Sequence, residues 1–378
     1  MPLPKSFDRF AAAATLLYGA LILASVPGNC AAQASVPAAP AQPGPQANTA
    51  PTASDHLISI DVDVTDKSGH PIGGLSVADF TVLDNDQPQK LLTFRAVEAH
   101  SAPADPLQAI IVVDGINSGF NSVAREREQL GEFLKQNGGE LAYPTSIAII
   151  TDDGLKVQKG SSRDGNAMFA TLNGTDSELR VIGRSQGFYG AADRLERSLG
   201  QLGQLAAFEA KQPGRKLVLF ISPGWPMLAT AGIEADTKQR TWTFNSIVEL
   251  SNGLREARIA LYTLDPFNLG RHNPFYYQNY LKGVTKISQA EYPYLSLQVL
   301  SEHSGGQVIV NGNDIEGEIN TALRDATAYY TLSFEAAPAG EGTQYHALRV
   351  KVDKPGLTVR TTAGYYVSAA AHTVTDPR

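Results

Sequence analysis

Four apolar runs in the middle of the chain each end on polar residues. They are QAIIVVD at 108–114, TSIAIITDD at 145–153, RKLVLFISPG at 215–224 and RIALYTLDP at 258–266. Continuous apolar strands of this kind predict a mainly parallel sheet that is buried on both faces. The stretches between them predict the covering helices, at 122–136, 166–172, 190–209 and 243–256. The pattern therefore predicts an α/β, doubly wound domain over residues 105–325.

Strands with a different period flank this domain on both sides. In ISIDVDV, residues 58–64, every second residue is apolar, and YYTLSFEAA, HALRVKVDKPG and LTVRTTAGYYV continue such alternation near the other end. A period of two predicts half-buried antiparallel strands. We therefore predict an N-terminal β unit over residues 56–100 and a C-terminal β segment over residues 326–370, and we expect the two to dock together as a stalk.

The first 34 residues have the pattern of a signal peptide. Lys5 and Arg9 precede the apolar stretch 11–26, and Ala32-Gln33-Ala34 offers a small-residue cleavage site. Residues 35–55 are an Ala/Pro-rich linker that cannot bury enough apolar surface to fold. We expect export to the periplasm or the extracellular space, with cleavage after Ala34.

Two other N-terminal outcomes stay open, and either would attach the chain to a membrane. The apolar stretch could remain as an uncleaved anchor, or Cys30, the single cysteine, could carry a lipid. Cleavage after Ala34 would remove Cys30, so the mature chain would depend on its core rather than on disulfides.

The charge balance argues against a nucleic-acid partner. The chain has 31 Lys and Arg against 38 Asp and Glu, a formal net charge of -7, with no basic stripe that would gather phosphates.

A family resemblance rests on the order of these motifs. A strand ending in Asp114-x-x-x-Ser118 is followed by helix, strand, helix and a strand ending in Ser222-Pro223-Gly224. This order resembles the von Willebrand factor A fold. With the hairpins of VDVTDKSGHPIGGLSVADFTVLDNDQPQKLLTF and the ending LTVRTTAGYYV, nearly the whole exported chain resembles VWFA-related proteins of the acidobacterial type.

The resemblance also implies where a metal would bind. In metal-ion-dependent adhesion sites of this family, an Asp-x-Ser-x-Ser motif, a later Thr and a second Asp hold Mg²⁺ or a similar ion. Asp114 and Ser118 match the first and last residues of the motif, whereas Ile116 replaces its middle serine and Pro223 the second aspartate. The resemblance thus implies a degenerate site with no cofactor; one divalent cation such as Mg²⁺ at Asp114 and Ser118 is the alternative.

Asp114 has two further interpretations. Its carboxylate could cap the loop 115–118 by accepting hydrogen bonds from backbone amides, with no ion. It could also share a displaced cation site with Asp265, although the sequence Leu264-Asp265-Pro266 is equally typical of a turn.

Motifs of common enzyme classes do not occur in the sequence. It has no histidine pair with metalloprotease spacing, no Gly-x-Ser-x-Gly elbow and no phosphate-binding Gly-x-x-x-x-Gly-Lys-Ser/Thr loop. We predict a protein that is not an enzyme. The alternative is a hydrolase of an extracellular polymer that uses Asp114, Asp153 and Asp265, which would require carboxylates within about 5–10 Å of each other. Asp152-Asp153-Gly154 is also typical of a turn.

An aromatic insertion follows the last of the four strands. Residues 266–298 gather phenylalanines and tyrosines, among them Tyr276 and Tyr277, around Arg271 and His272. Tyrosine with arginine is typical of protein interfaces, although the rings could equally pack the loop onto its own domain; packing is also the alternative for Trp225. We predict another protein as the partner, bound at the C-terminal edge of the sheet. The predicted contact residues are Asp114, Asn117, Ser222, Trp225, Asp265, Arg271, Tyr276 and Tyr277.

Overall fold

The computed structural model describes most of the chain after the predicted linker. The described residues are 57–98, 106–118, 120–174, 187–225, 236–264, 281–291, 295–309, 314–336 and 342–368. The predicted signal peptide and linker lie outside the described residues. So do Pro226, Asp265, Arg271, Tyr276 and Tyr277.

The N-terminal β unit contains four strands. They are β1 (Leu57–Thr65), β2 (Phe80–Asp84), β3 (Gln87–Gln89) and β4 (Leu91–Glu98). The alternation along β1 correctly predicts which of its residues face the core, since Ile58, Ile60, Val62 and Val64 are all buried.

The central sheet follows in the chain. Its strands are β5 (Leu107–Asp114), β6 (Glu140–Thr151), β7 (Gly154–Val157), β8 (Ser162–Asp164), β9 (Arg215–Ile221), β10 (Ile259–Leu264) and β11 (Val308–Ile309). The spatial order is β11-β10-β9-β5-β6-β7, with β8 also beside β6. The strands from β11 to β6 are parallel, and β7 and β8 pair antiparallel with β6. The predicted fold class is confirmed.

Helices cover both faces of this sheet. They are α1 (Phe120–Lys135), α2 (Gly165–Gly174), α3 (Gly187–Glu209), α4 (Thr237–Glu256), α5 (Leu297–His303) and α6 (Ile315–Arg324). Successive β5 residues point to opposite cores: Ile110 lies in the core under α3, α4 and α5, and Ile111 in the core under α1, α2 and α6. The four predicted helices are present, whereas α5 and α6 were not predicted. Among the described residues, none of these helices combines the length and apolar character of a membrane span.

The C-terminal segment completes two sheets that β1 to β4 begin. Its strands are β12 (Ala328–Glu335), β13 (Thr343–Val352), β14 (Thr358–Thr361) and β15 (Gly364–Ser368). One sheet has the order β14-β1-β12-β4 and the other β15-β13-β2-β3, all antiparallel. Val62, Val82, Leu332, Val350 and Tyr365 share one core between them. The two flanking segments therefore build a single β-sandwich.

Buried ion pairs join the sandwich to the amino-terminal edge of the central sheet. Arg215, the first residue of β9, donates two hydrogen bonds of 2.7 Å to the carboxylate of Asp63 on β1. Both side chains are almost fully buried, at 2% and 4% exposure. Arg360 lies between Asp63, at 3.2 Å, and Asp325, at 2.6 Å. Because the pairs connect residues from distant parts of the chain, they fix the sandwich against the α/β domain.

Candidate functional site at the carboxyl edge of the sheet

The carboxyl ends of β5 and β9 meet at the edge of the sheet opposite these ion pairs. We call the described residues there, 114–118 and 222–225, the upper rim. Asp114 ends β5 and is fully buried. Gly115 follows, and its amide donates to the carbonyl of Ile150 at 2.9 Å. A methyl group at Gly115 would lie 2.8 Å from that carbonyl oxygen, so only glycine lets the chain turn so close to β6.

The carboxylate of Asp114 accepts four hydrogen bonds. The amides of Ile116 and Asn117 donate to Oδ1 at 2.8 and 2.9 Å. Asn117 Nδ2 and Ser222 Oγ donate to Oδ2 at 2.9 and 2.6 Å. An ionised carboxylate has about four lone-pair positions, so these donors use its full capacity. Two of the four are amides of the loop after β5, as the capping interpretation of Asp114 expects.

Burial and hydrogen bonding act in opposite directions on this carboxyl group. Burial raises the pKa of Asp114 above its ordinary value, and the donors on Ser222, Asn117 and Ile116 lower it. The carboxyl group is therefore held by protein donors in a site without solvent, where losing them would be costly.

The other two residues of the Asp-x-Ser-x-Ser motif, Ile116 and Ser118, have partners of their own. The hydroxyl of Ser118 donates to Oε1 of Glu126 on α1 at 3.3 Å, and both side chains are 2% exposed. Ile116, which occupies the middle position of the motif, lies in the core beside α3. The two residues that match the motif thus have different partners.

The turn after β9 holds Ser222 against Asp114. Ser222 Oγ accepts a hydrogen bond from the amide of Gly224 at 3.0 Å while it donates to Asp114. Gly224 has φ of 85°, and a side chain there would collide with the amide of Gln298 on α5. The glycine is therefore required by its backbone angle, whereas the Gln298 side chain could move aside.

Two polar residues of α3 hold the carboxyl ends of the strands, Ser198 at the upper rim and Gln201 at the end of β6, and the sequence did not predict either. Asn117 Nδ2 also donates to Ser198 Oγ at 3.0 Å, which ties the loop after β5 to α3. Gln201, one turn further along, exchanges hydrogen bonds with the backbone of Thr151 at the end of β6. Both side chains are buried, at 0% and 5% exposure. Buried polar residues within an amphipathic helix were the only sequence signal for them.

The predicted contact residue Trp225 lies in the interior. Its side chain is 4% exposed and belongs to the core under α3, α4 and α5. The ring therefore offers a partner almost no surface. Packing within the domain is the alternative that the sequence left open for Trp225.

The aromatic insertion is described only in part. Residues 281–291 and 295–298 lie within the description, whereas its predicted contact residues Arg271, Tyr276 and Tyr277 do not. Val284, Ala290 and Leu295 are buried in the core under α4, and the hydroxyl of Tyr366 on β15 donates to the carbonyl of Val284 at 3.1 Å. The described part therefore packs between α4 and the sandwich.

The carboxylates of the hydrolase alternative are not brought together within the described residues. Asp152 and Asp153 form the turn between β6 and β7, where Thr151 pairs with Gly154, so the predicted turn is confirmed. Asp153 is exposed and Asp114 fully buried, and Asp265 lies outside the described residues.

These contacts give a poor fit to a divalent cation. Mg²⁺ needs near-octahedral oxygen ligands with open lone pairs. Asp114 has its lone pairs filled by donors and Ile116 has none to offer, so only the hydroxyl of Ser118, which donates to Glu126, keeps open lone pairs. Within the part of the chain that the structure describes, no three His, Cys, Asp or Glu side chains are grouped as metal ligands.

Several solved structures are similar to this chain. The manganese-loaded TRAP protein of Plasmodium vivax aligns at 8% identity over 71% of this chain and 96% of that one, with a TM-score of 0.32. The SpRpn10 VWA domain aligns at 12% identity over 58% and 96%, with a TM-score of 0.29. The open form of the pilus adhesin SpaC from Lactobacillus rhamnosus GG aligns at 10% identity over 78% and 42%, with a TM-score of 0.35. No protein-family model and no curated protein sequence matches the chain.

The chain's own topology is that of a von Willebrand factor A-like fold. Its features are the parallel order β11-β10-β9-β5-β6, helices on both faces and Asp114 at the carboxyl end of β5. A fold does not fix a ligand, so function has to be argued from the upper rim itself.

A metal titration tests the fit of the upper rim. We expect no saturable heat when Mg²⁺, Mn²⁺ or Ca²⁺ is added to the chain in a calorimeter, because binding would have to displace the donors of Asp114. Asp114→Ala is the control. Saturable heat that the wild type shows and the variant lacks would establish a cation at Asp114 and contradict the expectation.

Proposed function

We propose that this chain is an exported binding protein whose α/β domain holds a protein partner at the carboxyl edge of its sheet, with a degenerate adhesion site and without a divalent cation. It acts by binding and not by catalysis. The observation that carries this proposal is the hydrogen bonding of Asp114, whose carboxylate is satisfied by four protein donors.

The same hydrogen bonds give the upper rim a fixed shape without an ion. Asp114 joins the loop after β5 to the turn after β9 through Ser222, and Asn117 joins that loop to α3 through Ser198. Loops held on a rigid scaffold are common binding elements, because little conformational entropy is lost when the partner binds. A carboxylate that is buried and fully hydrogen bonded is also poorly suited to act as a general acid or base.

The aromatic insertion would supply the contact area beside the upper rim. It leaves the sheet at the end of β10, next to β9, and contains Arg271, Tyr276 and Tyr277. Tyrosine and arginine dominate the affinity of many interfaces, since they bury large areas at low entropy cost.

A capture experiment tests both export and the binding surface. We expect the tagged chain to appear in the exported fraction of its source cells with Ser35 as its first residue. The triple variant Arg271→Ala/Tyr276→Ala/Tyr277→Ala should recover at least about tenfold less of the partner that the wild type captures there. Quantitative mass spectrometry of the captured proteins provides the measurement.

A matched control removes exposed apolar residues elsewhere. Val77 and Leu92 of the sandwich are 49% and 51% exposed, and Val77→Ser/Leu92→Ser should capture as much partner as the wild type. Equal capture by the triple variant would exclude the insertion as the binding surface, and a chain retained in the cytoplasm would refute export.

A further inference from the structure

Helices α3 and α4 lie side by side on one face of the central sheet. A methyl group at Gly203 would lie 3.9 Å from Leu250 Cδ2, and one at Gly253 would lie 3.8 Å from Ala206 Cβ. From the first contact to the second, the residue number rises by three on each helix, so α3 and α4 run parallel. Glycine and alanine at the contact let the two backbones approach closely.

A groove of about 700 Å³ runs between the two helices on their outer side. Small residues on its α3 side, Gly200, Gly203, Ala207 and, just after the helix, Ala210, are spaced by three and four positions, with Leu199, Gln204 and Ala206 between them. On α4, Trp242, Ser246, Glu249, Gly253 and Glu256 have the same spacing. This is the periodicity with which a helix presents one stripe to a neighbouring helix. From Glu196 to Ala210 the groove extends about 20 Å, or four helical turns.

The groove carries one sign of charge. Glu196, Glu249 and Glu256 line it, and the described residues of its lining include no lysine or arginine. Glu256 is paired at 3.1 Å with Arg255, whose guanidinium is only 10% exposed and lies outside the lining. An apolar floor with carboxylates along its margins complements a ligand that is apolar in the middle and basic at its sides.

We propose that this groove binds an amphipathic α-helix of a partner protein, with small apolar side chains against the glycines and alanines and lysine or arginine against the glutamates. Parallel helices with an open seam between them present the surface that a third helix needs. The groove lies on the helical face of the domain and is separate from the upper rim, so this inference does not depend on the proposed function.

Two synthetic helical peptides test the proposed occupant. Both have about 21 residues in a heptad pattern with alanine and leucine on one stripe, and the flanking positions are lysine in one peptide and glutamate in the other. Fluorescence anisotropy with the full chain should show saturable binding of the lysine peptide and none of the glutamate peptide. Raising the salt concentration should weaken the binding, because the charged margins are exposed.

Position 200 provides a matched pair of variants. Among the described residues, no atom lies within 4 Å of a methyl group added at Gly200, so a side chain at this position starts in open space on the groove wall. Gly200→Leu should fill the groove and lower the affinity for the lysine peptide by about tenfold or more. Gly200→Ala should change this affinity by about twofold at most. Both variants should melt at or above the wild-type temperature, because glycine is a poor helix former.

Charge variants complete the test. Glu196→Gln/Glu249→Gln should lower the affinity for the lysine peptide several-fold and reduce its salt dependence. Absence of binding to the wild type, equal binding of the two peptides, or equal affinity for wild type and Gly200→Leu would overturn the proposal. A dimer of the wild type that Gly200→Leu dissociates would also overturn it, because the groove would then hold a second copy of this chain.

Discussion

Asp63→Asn is expected to lower the free energy of unfolding by about 3–5 kcal/mol, because it leaves a buried guanidinium without its counter-charge. Arg215 and Asp63 are 2% and 4% exposed and share two hydrogen bonds of 2.7 Å. Burial lowers the pKa of Arg215, but Asp63, Asp61 and Tyr262 together raise it well above its ordinary value, so the guanidinium remains charged. The substitution keeps the volume of the side chain, removes its charge and replaces one of the two acceptor oxygens by an NH2 donor.

Urea unfolding followed by circular dichroism measures this loss. A matched surface pair is the control: Arg349 and Asp86 lie 2.7 Å apart but are 59% and 70% exposed. Asp86→Asn should cost less than about 1 kcal/mol, since exposed ion pairs contribute little. If Asp63→Asn were as mild as Asp86→Asn, the ion pair would not hold the sandwich to the α/β domain.

Asp114→Ala is expected to lower the free energy of unfolding by about 3–4 kcal/mol. The substitution removes the acceptor of four donors, two of them backbone amides, in a site without solvent. Ser222→Ala removes only one of these donors and should cost about 1–2 kcal/mol.

Thermal and urea unfolding of these variants, with Asp153→Ala as the control, test the capping role of Asp114. Asp153 is an exposed carboxylate in the turn after β6, and replacing it should change stability by about 0.5 kcal/mol at most. A loss below about 1 kcal/mol for Asp114→Ala would show that its hydrogen bonds do not hold the upper rim.

The periodicity of the sequence predicted most of the described fold. Runs such as AIIVV at 109–113 are long enough to identify strands that are buried on both faces, and the stretches between them predicted four of the helices. The short helix α5 and the ten-residue α6 were missed. Seven residues of α5 give too few turns for a helical period to emerge from a single sequence.

The alternation of apolar and polar residues along β1 did not predict the role of Asp63. Alternation along β1 placed Asp63 on the polar side, and the residue does lie opposite the buried face of Val62 and Val64. Alternation cannot show that a second domain covers that polar side, because the covering residue, Arg215, is distant in the chain. The same limit explains why the contacts of Ser198 with the upper rim and of Gln201 with the end of β6 were not predicted.

The sequence predicted where the candidate site lies better than it predicted the hydrogen bonds within the site. The sequence placed Asp114 and Ser222 at the same edge of the sheet and allowed backbone amides as partners of Asp114. Their direct hydrogen bond of 2.6 Å depends on the register of β5 and β9, which pairs Val113 with Ile221. Register between parallel strands is set by tertiary packing, and a single sequence does not report it.

The β-sandwich also sets the order in which the chain can fold. Strand β1 pairs through Val62 with Tyr330 and through Val64 with Val359, so its hydrogen-bonding partners are synthesised after the strands of the α/β domain. All strands of the α/β domain lie between these partners and can pair earlier. Closing such a long loop is slow, and meanwhile the edges of β1 stay open to pairing with other chains. A newly made copy is therefore most prone to aggregation in the interval before β12 and β14 are made.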